Sequence, residues 1–97
     1  MLFVLMCTDK PKSLDLRLAT RPAHLAYLET YADRLVQVGA LLDGDGRACG
    51  TMLLIDVHDM AEAAGFAEAE PYGRAGLFES VVIRPFRQLY RDGERVA

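Results

Sequence analysis

The chain has 97 residues, of which 52% are hydrophobic, and a formal net charge of −3 at pH 7. That length predicts one domain over 1–97, with 86–97 as a C-terminal tail, and the apolar share excludes global disorder. The charge excludes the basic footprint of a nucleic-acid binder, and no stretch approaches the length of a membrane span.

Leu2 to Thr8 is a continuous apolar run closed by Asp9, Lys10 and Pro11, and its length and flanks favour a strand buried on both faces. Pro11 to Thr20 reads as a connection with a possible helical turn begun by Ser13. Thr20 or Arg21 caps the next predicted helix, with Pro22 in its first turn, where a missing N–H costs little. From there to Val38, Leu25, Leu28, Ala32, Leu35 and Val36 recur at helical spacing, and Gly39 is a fitting stop. Ala40 to Leu42 begins a second strand, the glycines and aspartates from Asp43 to Gly50 mark a turn, and Thr51 to Val57 returns as a third strand. Asp59 followed by Glu62 matches a capping box, opening a helix that ends before Pro71. Leu77 to Ile83 is the last strand, and the arginine-bearing tail reads as a solvated, partly frayed end.

The order β-α-β-β-α-β is the split βαβ, or ferredoxin-like, α+β arrangement, an antiparallel sheet with both helices on one face. The other face needs a cover. Val4, Met6, Met52, Leu54 and Val82 offer apolar side chains there, and a second copy is the simplest cover, so a homodimer is expected.

Cys7 and Cys49 form no C-x-x-C, and Cys7, in an apolar run, reads as a small buried hydrophobe. The apolar start lacks the charged region and cleavage site of a signal peptide, so a reducing, cytoplasmic setting is the default. Two isolated histidines predict no metal site. Asp43-x-Asp45-Gly46 has the outline of a calcium loop, but its twelfth position is Leu54 rather than glutamate. No glycine-rich phosphate loop follows a strand, so no cofactor is expected. His58 reads as an exposed loop residue.

Two segments carry the chemistry: R-P-A-H, Arg21 to His24, and A-E-P-Y-G-R-A-G-L-F, Ala69 to Phe78. A histidine and a carboxylate are the smallest set that moves a proton near pH 7. Together with T-D-K-P-K-S-L and R-L-A-T-R-P-A-H-L-A-Y-L, these segments resemble the YciI-like (YCII-related) family along nearly the whole chain. The resemblance implies a ferredoxin-like fold that dimerises into an α/β barrel and a His–Asp active site. One related member is a dechlorinating enzyme acting on a hydroxylated aromatic ring. Carried over by position, the histidine is His24 and the aspartate falls on Glu70, which keeps the charge and adds a methylene.

Near the start of its helix His24 would feel the positive helix terminus, while Glu70 would favour the cation and fix the tautomer. Without a hydroxyl or thiol placed as nucleophile, the pair favours proton abstraction over covalent catalysis. Arg17 and Arg21 either hold an anionic substrate or are solvent-facing or salt-bridged to Asp15 or Glu29. Tyr72 either lines the pocket or packs over a helix end, and Ser13 is a possible ligand contact. The function expected is cofactor-independent proton-transfer chemistry of the isomerase, lyase or dehalogenase type on a small anionic molecule. The alternative is a non-catalytic ligand-binding or assembly module.

Overall fold

The computed structural model describes residues 1–97. Strand β1 (Leu2–Asp9) leads into helix α1 (Leu14–Glu29), a single 3-10 turn (Ala32–Arg34), and the hairpin β2 (Leu35–Leu42) and β3 (Ala48–Asp56). Helix α2 (Met60–Ala69), the one-turn helix α3 (Pro71–Arg74) and β4 (Phe78–Pro85) follow, and a small hairpin, β5 (Tyr90–Arg91) and β6 (Glu94–Arg95), ends the chain. The main sheet has the order β2-β3-β1-β4, antiparallel throughout. This is the ferredoxin-like α+β order expected from the sequence.

The period of two along β1 sets the core. Phe3, Leu5, Cys7 and Asp9 face the helices and are buried, as are Thr51, Leu53 and Ile55 of β3. Phe3, Leu5, Leu53 and Ile55 form one cluster with Ala63 and Phe66 of α2, with Tyr27 and Leu28 of α1 packed against it. Tyr27 also donates to the carbonyl of Phe66 at 2.9 Å, which ties the two helices together. The opposite sheet face carries Val4, Met6, Met52 and Val82, with Met6 40% and Val82 46% exposed.

Helix α1 begins earlier and ends earlier than the sequence suggested. It starts at Leu14 and stops at Thr30, so Pro22 lies in its interior and His24 near its middle. The expected effect of the positive helix terminus on His24 therefore falls away. The inward stripe of α1 contains Arg17, His24, Tyr27 and Leu28, two of them polar, which hid the helical period in its first half. Pro22 removes the N–H that the Leu18 carbonyl would accept. Both residues are exposed, so water can satisfy that carbonyl. Leu35, Val36 and Val38, read as the end of a helix, belong to β2 instead. No glycine or proline separates the two elements, and a short apolar run fits either period. Gly39 is consequently a strand residue, not a helix stop.

The α2 start follows its sequence signal. Asp59 accepts from the Glu62 N–H at 2.9 Å, and Glu62 reaches back to the His58 N–H at 3.2 Å. In the β2–β3 turn, Asp43 accepts from the N–H groups of Asp45 and Arg47 at 2.9 and 3.0 Å. Those bonds hold its carboxyl below the usual carboxylate range, the Arg47 N–H having the larger effect. Gly46 turns the chain at φ +80, whereas Gly50 sits inside β3, where a Cβ would lie 2.5 Å from the Cys7 carbonyl. The tail is a hairpin rather than a frayed end. Asp92 (φ 51) and Gly93 (φ 81) supply the two left-handed residues such a turn needs, although its side chains remain exposed.

Burial pushes the Cys7 thiol up from 9.0 to about 12, with the Glu70 and Asp9 carboxylates adding to the rise. The folded state thus holds this proton more tightly than the unfolded chain. The associated stability is complete below pH 9 and is lost as pH rises toward 12. Urea unfolding between pH 9 and 10 should show an alkaline loss of at most about 1.4 kcal/mol per pH unit. Cys7→Ala should flatten that slope, and an unchanged slope would contradict the assignment.

Candidate active site

Glu70 is placed by a sequence of local events. Pro71 ends α2 at Ala69, and Glu70 adopts an extended conformation (φ −66, ψ 128) that makes it the N-cap of α3. Its Oε2 accepts from the backbone N–H groups of Tyr72 at 2.9 Å and Gly73 at 3.4 Å. Its Oε1 meets His24 Nδ1 in a short hydrogen bond. Both side chains are buried, with His24 6% and Glu70 3% exposed. The longer glutamate side chain thus serves two ends at once, the cap of α3 and the imidazole of α1.

An ionised carboxylate only accepts hydrogen bonds, so Nδ1 must donate. The neutral ring therefore keeps its proton on Nδ1 and leaves the Nε2 lone pair free. His24 lines a cavity of about 230 Å³ between α1 and the sheet. Its polar wall also includes Arg17, Arg21, Thr51 and Tyr72, and its apolar wall includes Leu25, Leu28 and Val38.

The two arginines differ. Arg17 is 5% exposed and makes a two-point ion pair with Asp9, Nε to Oδ2 at 2.7 Å and Nη2 to Oδ1 at 3.0 Å. Its Nη2 also donates to Thr51 Oγ1 at 2.6 Å. Burial works against the guanidinium charge, but the bonds to Asp9 overcome it, and Arg17 stays more firmly protonated than in water. Arg21, one turn further on, is exposed at the cavity and has no carboxylate partner. Neither arginine pairs with Asp15 or Glu29.

Tyr72 both lines the cavity and packs. Its ring stacks on His24, with centroids 4.0 Å apart and planes 20° from parallel, and the Arg17 guanidinium carbon lies 4.5 Å from its centre. Burial raises the phenol above its ordinary value, against the lowering effect of Arg17, so it remains a proton-bearing hydroxyl at neutral pH. Ser13 is elsewhere. It donates to the Pro11 carbonyl at 3.3 Å and lines a neighbouring cavity of about 410 Å³ with Lys10, Lys12 and Arg47. His58 is exposed, as expected.

Sequence reasoning missed Asp9 and Thr51. Both lie on the helix-facing side of their strands, in phase with Cys7 and Leu53. A carboxylate in phase with a core stripe demands a buried cation, and that demand pointed to Arg17.

A ferredoxin-like α+β domain with a buried histidine–carboxylate pair at a small cavity defines the class. The chain belongs to the family described as the YCII-related domain, whose model matches residues 1–87. Protein YciI of Escherichia coli O6:H1 is 36% identical over 98 residues, covering 93% of this chain and all of that protein. A solved structure of 5-chloro-2-hydroxyhydroquinone dehydrochlorinase from Burkholderia phenoliruptrix AC1100, in complex with 2,5-dihydroxybenzoquinone, superposes with a TM-score of 0.86 at 30% identity. The match covers 90% of this chain and 94% of that one. An antibiotic biosynthesis monooxygenase structure shares the fold, with a TM-score of 0.54 at 14% identity over 91% of this chain and all of that one. No helix is long and apolar enough to cross a membrane.

Proposed function

We propose that this chain is a small-molecule enzyme in which His24 moves a proton at Nε2 and Glu70 orients and charge-balances the imidazole. The observation that carries this reading is the buried Nδ1–Glu70 hydrogen bond on a histidine that lines a cavity. Arg21 supplies an unpaired cation at the rim for an anionic group, and Leu25, Leu28 and Val38 supply an apolar wall for a ring. About 230 Å³ suits a molecule built on one six-membered ring. Likeness to a dehydrochlorinase supports elimination as the reaction. Ketonisation of one ring hydroxyl would first place a proton on the chlorine-bearing carbon. His24 Nε2 would then take the proton of a second hydroxyl, whose oxygen becomes a carbonyl as a ring double bond forms and the carbon–chlorine pair leaves as chloride, a net loss of HCl. Arg21 would stabilise the developing oxyanion.

The test is chloride release from 5-chloro-2-hydroxyhydroquinone, with calorimetric binding of 2,5-dihydroxybenzoquinone in parallel. Turnover that falls about 10²- to 10⁴-fold in His24→Ala is the expected result. Tight binding without turnover in the wild type would replace the enzyme reading with a ligand-binding module.

We also propose that two copies pair through the open sheet face. Val4, Met6, Met52 and Val82 form an apolar band there, beside the buried Leu54, and Met6 and Val82 are left 40% and 46% exposed in one chain. Sedimentation should give about twice the 10.7 kDa chain mass, and Met6→Glu should return it to the single-chain value. A wild type that sediments as one chain at working concentration would overturn the pairing.

A further inference from the structure

We propose that Asp9, Arg17 and Thr51 form a clamp that positions His24 through the ring of Tyr72, and that Arg21 alone provides the cation for substrate. This rests on the reading of the cavity as a proton-transfer site and assigns its two arginines to different tasks.

Three donor hydrogens of Arg17 are already committed, two to Asp9 and one to Thr51, on β1 and β3 respectively. The guanidinium plane is thereby fixed by two strands, and its charge is balanced by Asp9. An incoming anion would find little net attraction at Arg17. What Arg17 still presents is a flat cationic group close to Tyr72, a favoured geometry for cation–π contact.

Arg17 and His24 are seven residues apart on α1, a rise of about 10.5 Å. Tyr72 touches both, at 4.5 and 4.0 Å from its ring centre, so its ring bridges the two turns of helix between them. Pro22 removes a backbone donor within that same stretch. The side-chain column therefore supplements a helix that lacks one of its own hydrogen bonds. Tyr72 is also anchored through its N–H to Glu70 Oε2, on the same carboxylate that holds Nδ1. The imidazole is held at its edge by Glu70 and at its face by Tyr72. Turning the ring requires moving Tyr72, which Arg17 opposes. Lysine has the charge but not the planar fork, so it cannot rebuild the clamp.

The experiment compares Arg17→Lys, Thr51→Val and Arg21→Gln by two readouts. One is the His24 ring N–H resonance, its line width and exchange with water. The other is the dissociation constant of 2,5-dihydroxybenzoquinone. Arg17→Lys should broaden or abolish the His24 resonance while leaving probe affinity within about threefold. Thr51→Val, which removes one bond of the clamp, should show a smaller change of the same kind and serves if Arg17→Lys fails to fold. Arg21→Gln should weaken the probe by about tenfold or more and leave the resonance unchanged. An Arg17→Lys or Thr51→Val protein with an unaltered His24 resonance overturns the clamp, as does a loss of affinity in Arg17→Lys matching that in Arg21→Gln. A wild type that ignores the probe removes the ligand reading and the role of Arg21. The resonance then still decides whether the clamp exists.

Discussion

Glu70→Gln is expected to reverse the tautomer of His24 and to lower proton-transfer turnover by about 10³- to 10⁴-fold. The substitution preserves shape, so its effect is electronic. The backbone N–H groups of Tyr72 and Gly73 require an acceptor, and the amide oxygen will turn to them. The amide NH₂ then faces Nδ1, which can only accept from it. The ring proton moves to Nε2, and the nitrogen at the cavity changes from a base to a donor. Nitrogen-15 shifts of the ring report this directly, with Nε2 protonated in the variant. Glu70→Ala should act differently. It leaves His24 Nδ1 and the Tyr72 and Gly73 N–H groups without their acceptor, and should lower stability in urea by about 3–5 kcal/mol. Little change in either variant would mean that Glu70 neither orients the histidine nor holds α3.

The second large effect concerns the buried ion pair. Arg17→Met is expected to destabilise the protein by about 3–5 kcal/mol, because Asp9 is left charged and buried without a partner. Most of that cost should disappear in the double variant Asp9→Leu with Arg17→Met, since desolvating the pair offsets much of its attraction. A double-mutant cycle in urea measures the difference. Additive single effects would show that Asp9 and Arg17 do not act as a unit, contrary to the two hydrogen bonds between them.

The fold was legible because short apolar runs bounded by turn residues mark its strands and because Asp59 and Pro71 punctuate α2 at both ends. Strand β1, however, read as buried on both faces, alternates between buried and more open positions. Helix α1 was harder. Its inward stripe uses Arg17 and His24 where hydrophobic residues would reveal the period, and Pro22 sits where a helix start is the usual explanation. The site's polar supports break the same rule. Asp9, Arg17 and Thr51 occupy core-facing positions, and each is acceptable there only because the others satisfy it. Such a set is visible once strands and helix are in register and not before. The relation of His24 to Glu70 is another matter, because 46 residues separate them. The family resemblance paired them, whereas spacing along the chain did not. Ser13 illustrates the opposite error, since closeness in sequence to the site's helix did not bring it into the cavity.

The central claim is that the free Nε2 of His24 faces a ligand cavity. Titrating 2,5-dihydroxybenzoquinone into protein labelled with nitrogen-15 on histidine tests it most directly. The account predicts a large shift of His24 Nε2, a smaller one at Nδ1, and none at the exposed His58. Saturable binding that leaves the His24 nitrogens unmoved would place the ligand elsewhere and contradict it.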